Sequence, residues 1–220
     1  MNVINLSEQP SLLSRYLKEI RSTDIQRDSL RFRRNIERIG ELMAFEISKR
    51  LAYKRETVQT PLDRADVLDI ESQVVLATIF RAGLPFHQGF LNMFDSAENA
   101  FLSAYRRVAH DESGNEYLEI VSEYLAAPRL DGKTLLLVDP MLATGMSMEV
   151  AYKALLTHGL PRETHIACVI GTNQALDYLE RNMSTDTTVW CAAIDPKLNE
   201  KKYIVPGLGD AGDLCFGEKL

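Results

Sequence analysis

The sequence of 220 residues has few cysteines and no cysteine pattern that suggests a disulfide framework. Cys168, Cys191 and Cys215 are far apart and odd in number, and no C-x-x-C pair occurs. Small secreted domains carry many paired cysteines, whereas a reducing cytosol keeps thiols free. The sequence therefore predicts buried free thiols and a cytoplasmic location.

Long apolar runs are also missing. No segment approaches the roughly 18 consecutive apolar residues that a membrane helix needs. The stretch "MNVINLSEQPSLLSRYLKEI" lacks a basic start followed by an apolar run, so no secretory signal is predicted. The net charge of −6 argues against nucleic acid as a partner. We expect neither a membrane nor a nucleic-acid partner.

The common nucleotide-binding loops are absent as well, since neither G-x-x-x-x-G-K-[ST] nor G-x-G-x-x-G occurs. The histidines show no metal-ligand spacing, so each is expected to be a packing or surface residue. They are His87, His110, His158 and His165. What remains is a chain of 45% hydrophobic and 25% charged residues, which suits one globular domain over residues 1–220.

The first part of the chain has the pattern of an amphipathic helix, and we interpret residues 1–52 as a helical N-terminal region. Asp28 or Ser29 could cap the helix that follows. Apolar residues then recur every three or four positions, at Phe32, Ile36, Ile39, Met43 and Ile47. Several arginines between them are typical of a solvated helix face or a subunit contact. These are Arg31, Arg33, Arg34 and Arg38.

From residue 74 onward, short apolar runs alternate with helical patterns. Strands are predicted over 74–80, 134–139, 165–171 and 187–194, and helices over 146–159 and 173–182. Two more strand candidates, 100–108 and 117–125, flank "DESGNE", a predicted hairpin turn with Gly114 and Asn115 at its tip. The alternation predicts an α/β fold, a mostly parallel twisted sheet with helices on both faces.

Ligands of such sheets bind beyond the carboxyl ends of the strands, where Asp139 and Arg81 fall. A loop with Thr144, Gly145 and Ser147 leads from Asp139 into the next helix. Backbone N–H groups at a helix N-terminus, together with hydroxyls, suit a phosphate, whereas a carboxylate accepts hydrogen bonds from sugar hydroxyls. This favours a ribose phosphate as ligand. The alternative is a plain strand–turn–helix junction capped by Thr144 or Ser147.

Two blocks of sequence resemble the uracil phosphoribosyltransferase family. "LLLVDPMLATGMS" is similar to that family's loop for phosphoribosyl pyrophosphate (PRPP), usually V-D-P-M-L-A-T-G-G-S, and "YIVPGLGDAGD" is similar to its uracil-binding segment. "FRAGL" (80–84) and "YRR" (105–107) fall where the family has two arginine elements. The resemblance covers residues 28–220. It implies a phosphoribosyltransferase-like fold with N-terminal helices, a β-hairpin arm and a base-binding loop over 203–217.

The resemblance implies the reaction of uracil with PRPP to give UMP and pyrophosphate, a step of pyrimidine salvage. Catalytic roles would fall to Asp210 and Arg106. The residues implied for PRPP binding are Arg81, Arg106, Asp139, Pro140, Met141, Leu142, Ala143, Thr144, Gly145, Met146, Ser147 and Asp210. Those implied for uracil binding are Tyr203, Val205, Gly209, Asp210 and Ala211.

The implied cofactor is Mg²⁺, which would arrive with PRPP or pyrophosphate and have no direct protein ligand set. The implied assembly is a homodimer or a higher homo-oligomer, with GTP as a possible activator. The near absence of side chains in "PGLGDAG" is compatible with base recognition by backbone groups. The resemblance implies that such groups around Val205 and from Gly209 to Ala211 recognise the base, and hence that uracil is accepted and cytosine rejected, because an unmatched buried polar edge is costly.

Three features of the chain depart from the family pattern. Met146 replaces the second glycine of T-G-G-S, and it would be strained at positive φ but comfortable in the first turn of a helix. We favour the helical interpretation, because the helical pattern begins there. The family element Y-R-N-E is here "YRRV", which keeps Arg106 but changes its neighbours. Residues 66–73 have no counterpart that we could identify.

Two other functions remain open on these residues. The chain could be a PRPP-dependent transferase for another base. It could also be a catalytically silent sensor of PRPP or uracil, for which Met146 and "YRRV" are the only support. Competition between bases would test the first possibility. Ligand binding without turnover would indicate the second.

Overall fold

The computed structural model describes residues 1–110, 116–121 and 124–219, and for residues 105–110 and 116–121 it describes the backbone alone. The helices are α1 (Leu12–Arg21), α2 (Ser29–Ser48), α3 (Gly83–Met93), α4 (Met146–Leu155), α5 (Asn173–Asn182) and α6 (Ala211–Phe216). Short 3-10 turns span Leu6–Glu8 and Leu156–His158.

The strands fall into one large sheet and three small two-stranded sheets. The first seven are β1 (Asn2–Asn5), β2 (Tyr53–Gln59), β3 (Arg64–Ile70), β4 (Val74–Phe80), β5 (Glu98–Ser103), β6 (Tyr105–His110) and β7 (Glu116–Val121). The others are β8 (Leu125–Ala126), β9 (Thr134–Val138), β10 (Met141–Leu142), β11 (Glu163–Thr172), β12 (Thr187–Asp195), β13 (Lys197–Leu198) and β14 (Ile204–Val205).

The large sheet has the strand order β1-β12-β11-β9-β4-β5-β8, with β10 added beside β11. All of its pairings are parallel except that of β5 with β8. Val138 lies in register with both Thr78 and Ala167, so the carboxyl ends of β4, β9 and β11 face the same edge, beyond which β11 continues to Thr172. The predicted mostly parallel sheet is confirmed, as are the strands and helices predicted from residue 134 onward to within a few residues.

Helices cover both faces of this sheet, which confirms that part of the prediction. One core packs α1, α2, α3 and α6 against the sheet, and the other packs α4 and α5. The predicted apolar stripe of α2 is fully buried in the first core. Both faces of the central strands are therefore dry, which explains why those strands are apolar throughout. The three cysteines are free and buried, as predicted.

The N-terminal region needs one correction. Residues 1–52 are not helical throughout, because β1 pairs in parallel with β12 at the edge of the sheet and the first α-helix begins only at Leu12. Four residues are too short for a strand pattern to stand out in the sequence. Asp28 is the cap of α2, since its side chain accepts a hydrogen bond from the Arg31 backbone N–H at 3.1 Å.

The arginines on α2 join helices to one another. Arg31 makes a two-point ion pair with Glu19 of α1, with both distances 3.0 Å. Arg33 donates to the Cys215 carbonyl at the end of α6. The solvated-face interpretation is therefore incomplete, because these two side chains tie α1 and α6 to α2.

Three antiparallel strand pairs stand outside the large sheet in the described residues, and the shortest is β13 with β14. β6 pairs antiparallel with β7, which matches the predicted hairpin arm, although its predicted tip at Gly114 and Asn115 lies outside the described residues. The second hairpin, β2 with β3, was not predicted. It accounts for most of the unmatched segment 66–73. In the described part of the chain, no helix is both long and apolar enough to cross a bilayer.

Candidate active site

A cavity of about 770 Å³ opens at the carboxyl edge of the sheet, where β4 and β9 end. One wall is the loop over residues 139–147, and another is the segment over residues 203–212; we call them the phosphate loop and the base ribbon after the ligands that the sequence predicts for them. Asp139, Met141, Ala143 and Ser147 line it from the phosphate loop. Tyr203, Ile204 and residues 209–212 line it from the base ribbon. The two sequence blocks that carry the family resemblance therefore share one cavity.

Backbone pairing with β11 fixes the phosphate loop. The Pro140 carbonyl accepts hydrogen bonds from the N–H groups of Val169 and Ile170 at 3.1 and 3.0 Å. Met141 and Leu142 then form β10 beside β11. These contacts explain why Pro140 is not a lining residue. It anchors the loop, whereas a small adjoining cavity of about 50 Å³ takes in Leu142, Thr144 and Gly145.

Gly145 and Met146 form the turn that leads into α4. Gly145 has φ +82°, a left-handed conformation that favours glycine. Met146 is the first residue of α4 and has no positive φ, so the helical interpretation of this residue is confirmed. The helix begins without a side-chain cap. The alternative in which Thr144 or Ser147 serves as the cap is therefore wrong, and neither hydroxyl caps the helix.

Asp139 is an unusual carboxylate for a cavity wall. It accepts a hydrogen bond from the Met141 N–H at 3.2 Å. Burial raises the pKa of Asp139 to about 7, because this one backbone hydrogen bond only partly offsets the loss of hydration. A group with such a pKa at a cavity wall is typical of a functional site. It gains most from a ligand that donates hydrogen bonds, such as a sugar diol.

A tight turn precedes the base ribbon, which ends in the first turn of α6. Lys202, whose N–H donates to the Asn199 carbonyl at 2.9 Å, has φ +62°. Asp210 caps α6 by accepting from the Asp213 N–H at 3.0 Å. Val205 is not among the lining residues, whereas its neighbour Ile204 is. The ribbon therefore presents mainly backbone and small side chains to the cavity between Gly209 and Gly212.

Asp210 remains ionised at neutral pH. Burial raises its pKa, but hydrogen bonds from the Asp213 N–H and the Lys219 ammonium outweigh this and hold the pKa below its usual value. Lys219 Nζ lies 3.1 Å from the Asp210 carboxylate, and Lys219 itself lines the cavity. A strongly ionised carboxylate is a weak base, and this limits its use as a proton acceptor.

One of the two predicted arginines, Arg81, is part of the cavity wall. Its Nη2 donates to Asp213 at 3.0 Å and to the Gly217 carbonyl at 3.4 Å. Asp213 is thus the counter-ion of Arg81. Arg106 lies on β6, and its side chain falls outside the described residues.

Sequence reasoning missed several residues of this region. Asp195 follows the apolar part of β12 as Asp139 follows β9, so its position at the end of a strand was a usable signal. Arg21 and Lys219 gave no signal, because only the fold brings them near the cavity. Lys201 and Lys202 also line the cavity.

A parallel sheet whose edge carries a carboxylate and a helix-leading loop, opposite a glycine-rich ribbon, defines a phosphoribosyltransferase. Comparison with known proteins makes the class specific. The family profile described as "Uracil phosphoribosyltransferase" matches residues 7–218. The chain belongs to the uracil phosphoribosyltransferase family, whose enzymes convert uracil and PRPP into UMP and pyrophosphate in pyrimidine salvage.

Individual relatives agree with the family profile. The chain is 56% identical over 220 residues to a uracil phosphoribosyltransferase of Porphyromonas gingivalis, with 100% of both chains covered. It is 37% identical over 192 residues to that of Methanothermobacter thermautotrophicus, covering 86% of this chain and 85% of the relative. The solved structure of the AQ2163 protein from Aquifex aeolicus has a TM-score of 0.83 at 27% identity, with 98% of both chains covered.

Proposed function

We propose that the cavity binds PRPP along the phosphate loop and uracil along the base ribbon, and that UMP forms between them. The observation that carries this proposal is the shared cavity of about 770 Å³, a volume that suits a small ligand pair. Both substrates must lie in contact for the reaction, so two separate pockets would have contradicted it.

The phosphate loop suits the ribose phosphate part of PRPP. Asp139 accepts hydrogen bonds from the ribose hydroxyls in its ionised form. Residues 143–147 bind the 5′-phosphate through backbone N–H groups at the start of α4 and the hydroxyls of Thr144 and Ser147. The absence of a side-chain cap on α4 supports this role, because the first N–H groups of the helix then need a partner.

Arg81 and Arg106 bind the pyrophosphate in this proposal. A guanidinium carries five donors in a fixed fork, so Arg81 can keep its contact with Asp213 and still offer N–H groups to phosphate oxygens. Its charge does not titrate, which suits a leaving group that becomes more negative as it departs. For Arg106 the support is the family resemblance and its place on β6, the strand that follows β5.

Uracil is read mainly by the backbone of the ribbon. Tyr203 walls the pocket, and the peptide groups around Val205 and from Gly209 to Ala211 pair with the carbonyl and N–H edges of the base. Because the backbone donors and acceptors are fixed, an amino group in place of a carbonyl leaves mismatched polar atoms. The expected preference is therefore uracil over cytosine.

Catalysis in this site comes from positioning and charge. The bond between C1 of the ribose and the pyrophosphate breaks, and its electron pair leaves with the pyrophosphate. Uracil N1 bonds to C1 from the opposite face and releases its proton to water. Arg81 and Arg106 stabilise the departing charge. The low pKa of Asp210 favours a role beside the metal-bearing pyrophosphate over a role as the acceptor of that proton.

The residues present are compatible with Mg²⁺. The described residues contain no group of three or more His, Cys, Asp or Glu side chains that could enclose an ion. Mg²⁺ commonly uses one or two carboxylates, its own waters and substrate phosphates, and here Asp210 is an ionised carboxylate at the cavity. When bound with PRPP, the ion would neutralise pyrophosphate charge, and Asp210 would contact its hydration shell.

A homo-oligomer, a cytoplasmic location and activation by GTP belong to the same proposal. The β2–β3 hairpin supports self-association, because it projects apolar residues such as Leu62, which is 98% exposed, and Leu68, which is 65% exposed. Sedimentation at several protein concentrations tests the assembly. Assays with and without GTP test activation, for which the family resemblance is the only support.

One assay tests the central proposal. Purified protein with Mg²⁺, PRPP and uracil should form UMP and release pyrophosphate in equal amounts. Cytosine, hypoxanthine and adenine in competition should leave the rate unchanged. If another base reacts faster, the base assignment is wrong. If PRPP and uracil raise the melting temperature of folded protein but no UMP forms, the silent-sensor function replaces ours.

A further inference from the structure

A partly buried ion pair holds one residue of the base ribbon from outside the cavity. Arg21, the last residue of α1, donates from Nη1 and Nη2 to the two carboxylate oxygens of Asp195, both at 2.8 Å. Asp195 ends β12 and is only 5% exposed. Neither residue lines the cavity, and neither has a role in the proposed chemistry.

The same two side chains hold both polar groups of Gly207. Asp195 Oδ2 accepts from the Gly207 N–H at 2.8 Å, and Arg21 Nη1 donates to the Gly207 carbonyl at 3.0 Å. Gly207 has φ +59°, and a Cβ there would lie 2.1 Å from the Ile204 carbonyl oxygen. The peptide therefore sits in a position that only glycine fits, and all of its polar atoms are matched.

Gly207 lies two residues before Gly209, where the ribbon enters the cavity wall. Leu208 between them is buried in the core beneath α1 and α2. A ribbon that recognises a base through peptide groups can change its selectivity only by moving its backbone. Displacements of about 1 Å at a reacting site can alter rates by about 100-fold. The side chains that hold Gly207 in place should therefore also determine how well the ribbon recognises the base.

We propose that Arg21, Asp195 and the Gly207 peptide form a clamp that positions the base ribbon, so that the N-terminal helix α1 sets the affinity for uracil. Arg21 and Asp195 are positioning residues in this proposal and do not touch substrate. The proposal rests on the proposed base-binding role of residues 203–212. It adds that this role depends on a helix far from the ribbon in sequence.

Arg21→Met tests the clamp, with Arg31→Met as a matched control. Arg31 makes a similar two-point ion pair with a buried carboxylate, Glu19, but touches neither the ribbon nor the cavity. We expect Arg21→Met to raise the KM for uracil about tenfold or more and to leave the KM for PRPP within about twofold. Arg31→Met should leave the ratio of the two KM values unchanged.

A double variant separates positioning from stability. Arg21→Met alone leaves the buried Asp195 charge unpaired, which destabilises the fold, whereas replacing both partners with apolar residues removes that penalty. Arg21→Met with Asp195→Leu should therefore melt closer to the wild type than Arg21→Met does and still show the raised KM for uracil. If the KM recovers together with the melting temperature, the ion pair is merely structural. If neither of these variants folds, Arg21→Lys replaces them in the same measurements. It keeps the charge but loses the two-point contact of the guanidinium with Asp195.

Calorimetric uracil binding, in the presence of pyrophosphate and Mg²⁺, gives a readout that does not need turnover. If the wild type forms UMP and the Arg21 variants keep its uracil affinity, the clamp is overturned and the proposed function stands. A parallel rise in both KM values overturns the clamp as well. If the wild type neither forms UMP nor binds uracil, the proposed function fails and the clamp fails with it.

Discussion

The two walls of the cavity are held in different ways. The phosphate loop is anchored by backbone hydrogen bonds to β11, the neighbouring strand, through Pro140 and through β10. The base ribbon has only the two-residue pairing of β13 with β14 at its start. Beyond that point its anchors are side chains, and they include Arg21, which lies 186 residues away from Gly207 in the sequence.

Because of this difference, we expect the two walls to respond differently to substitutions. A loop fixed by sheet pairing keeps its shape as long as the strands form, so changes at its surface act on the ligand alone. A ribbon fixed by a partly buried ion pair depends on groups that a single substitution can remove. We therefore expect substitutions in the phosphate loop to act on PRPP, and substitutions of the side chains that anchor the ribbon, such as Arg21, to act on uracil.

The largest effect is expected for Asp139→Asn. The amide keeps the shape of the side chain but loses the charge that accepts the ribose hydroxyls. Losing hydrogen bonds to a charged group should lower kcat/KM by about 2 to 3 kcal/mol, or about 30- to 150-fold. Steady-state kinetics checks this, with Asp69→Asn on the exposed β3 as control. An unchanged KM for PRPP and an unchanged kcat would remove Asp139 from the site.

A pH effect of about fivefold between pH 7 and pH 6 should accompany this carboxylate, because its ionised fraction falls from about one half to about one tenth. Its pKa of about 7 means that the ionised form is lost as the pH falls below neutrality, so PRPP affinity should weaken from pH 7 to pH 6. PRPP phosphates also titrate in this range, and Asp139→Asn measures that contribution alone. Calorimetry of PRPP binding at both pH values gives the comparison. Equal slopes for wild type and variant would contradict the prediction.

The same pKa predicts how stability depends on pH. The folded pKa is raised above the unfolded value of about 3.9, so the folded state holds a proton that the unfolded state has released. The contribution of Asp139 to stability is therefore lost as the pH rises from about 4 to about 7. Asp139→Asn should be more stable than the wild type above pH 7, and this gain should vanish near pH 4. Urea unfolding at both pH values measures it.

Gly145→Ala should cost about 1 to 2 kcal/mol of unfolding free energy, because its left-handed φ strains any other residue. The new Cβ would also lie 3.0 Å from the Tyr178 ring and 3.1 Å from the Ala175 carbonyl. The KM for PRPP should rise while the KM for uracil stays constant. Met146→Gly is the control, with a loss of about 0.5 to 1 kcal/mol, since glycine is a poor helix residue. A larger loss for Met146→Gly than for Gly145→Ala would reverse our view of this turn.

The smallest effect is expected at Lys202, in the turn that precedes the base ribbon. Its positive φ costs a non-glycine residue about 1 to 2 kcal/mol, and the unfolded-state entropy of glycine offsets about 0.4 to 1 of this. Lys202→Gly should therefore raise the unfolding free energy by about 0.5 to 1 kcal/mol. Lys201→Gly, at ordinary φ, should lower it. Chemical denaturation distinguishes the two, and equal losses would mean that the turn is not strained.

Much of the fold and one wall of the site followed from local sequence. The buried parallel strands are uninterrupted apolar runs, and Asp139 and Gly145 follow one of them in a recognisable order. β1 and the β2–β3 hairpin were missed, since the first is short and the second is exposed on both faces. The clamp was missed for a different reason. Arg21 and Asp195 gain their meaning only from contacts across the fold, which no local pattern encodes.

Two of the three buried cysteines, Cys215 and Cys168, can report on the opening of the base ribbon and of the phosphate loop separately. Burial raises the pKa of Cys215, on α6 beside the base ribbon, to about 12, and raises that of Cys168, in β11 beneath the phosphate loop, well above its ordinary value. Only an exposed thiolate is alkylated readily, so modification of either cysteine requires its wall to open. Timed alkylation followed by peptide mass spectrometry would therefore show which wall opens more often. The same measurement with uracil or PRPP would show whether either ligand slows that opening.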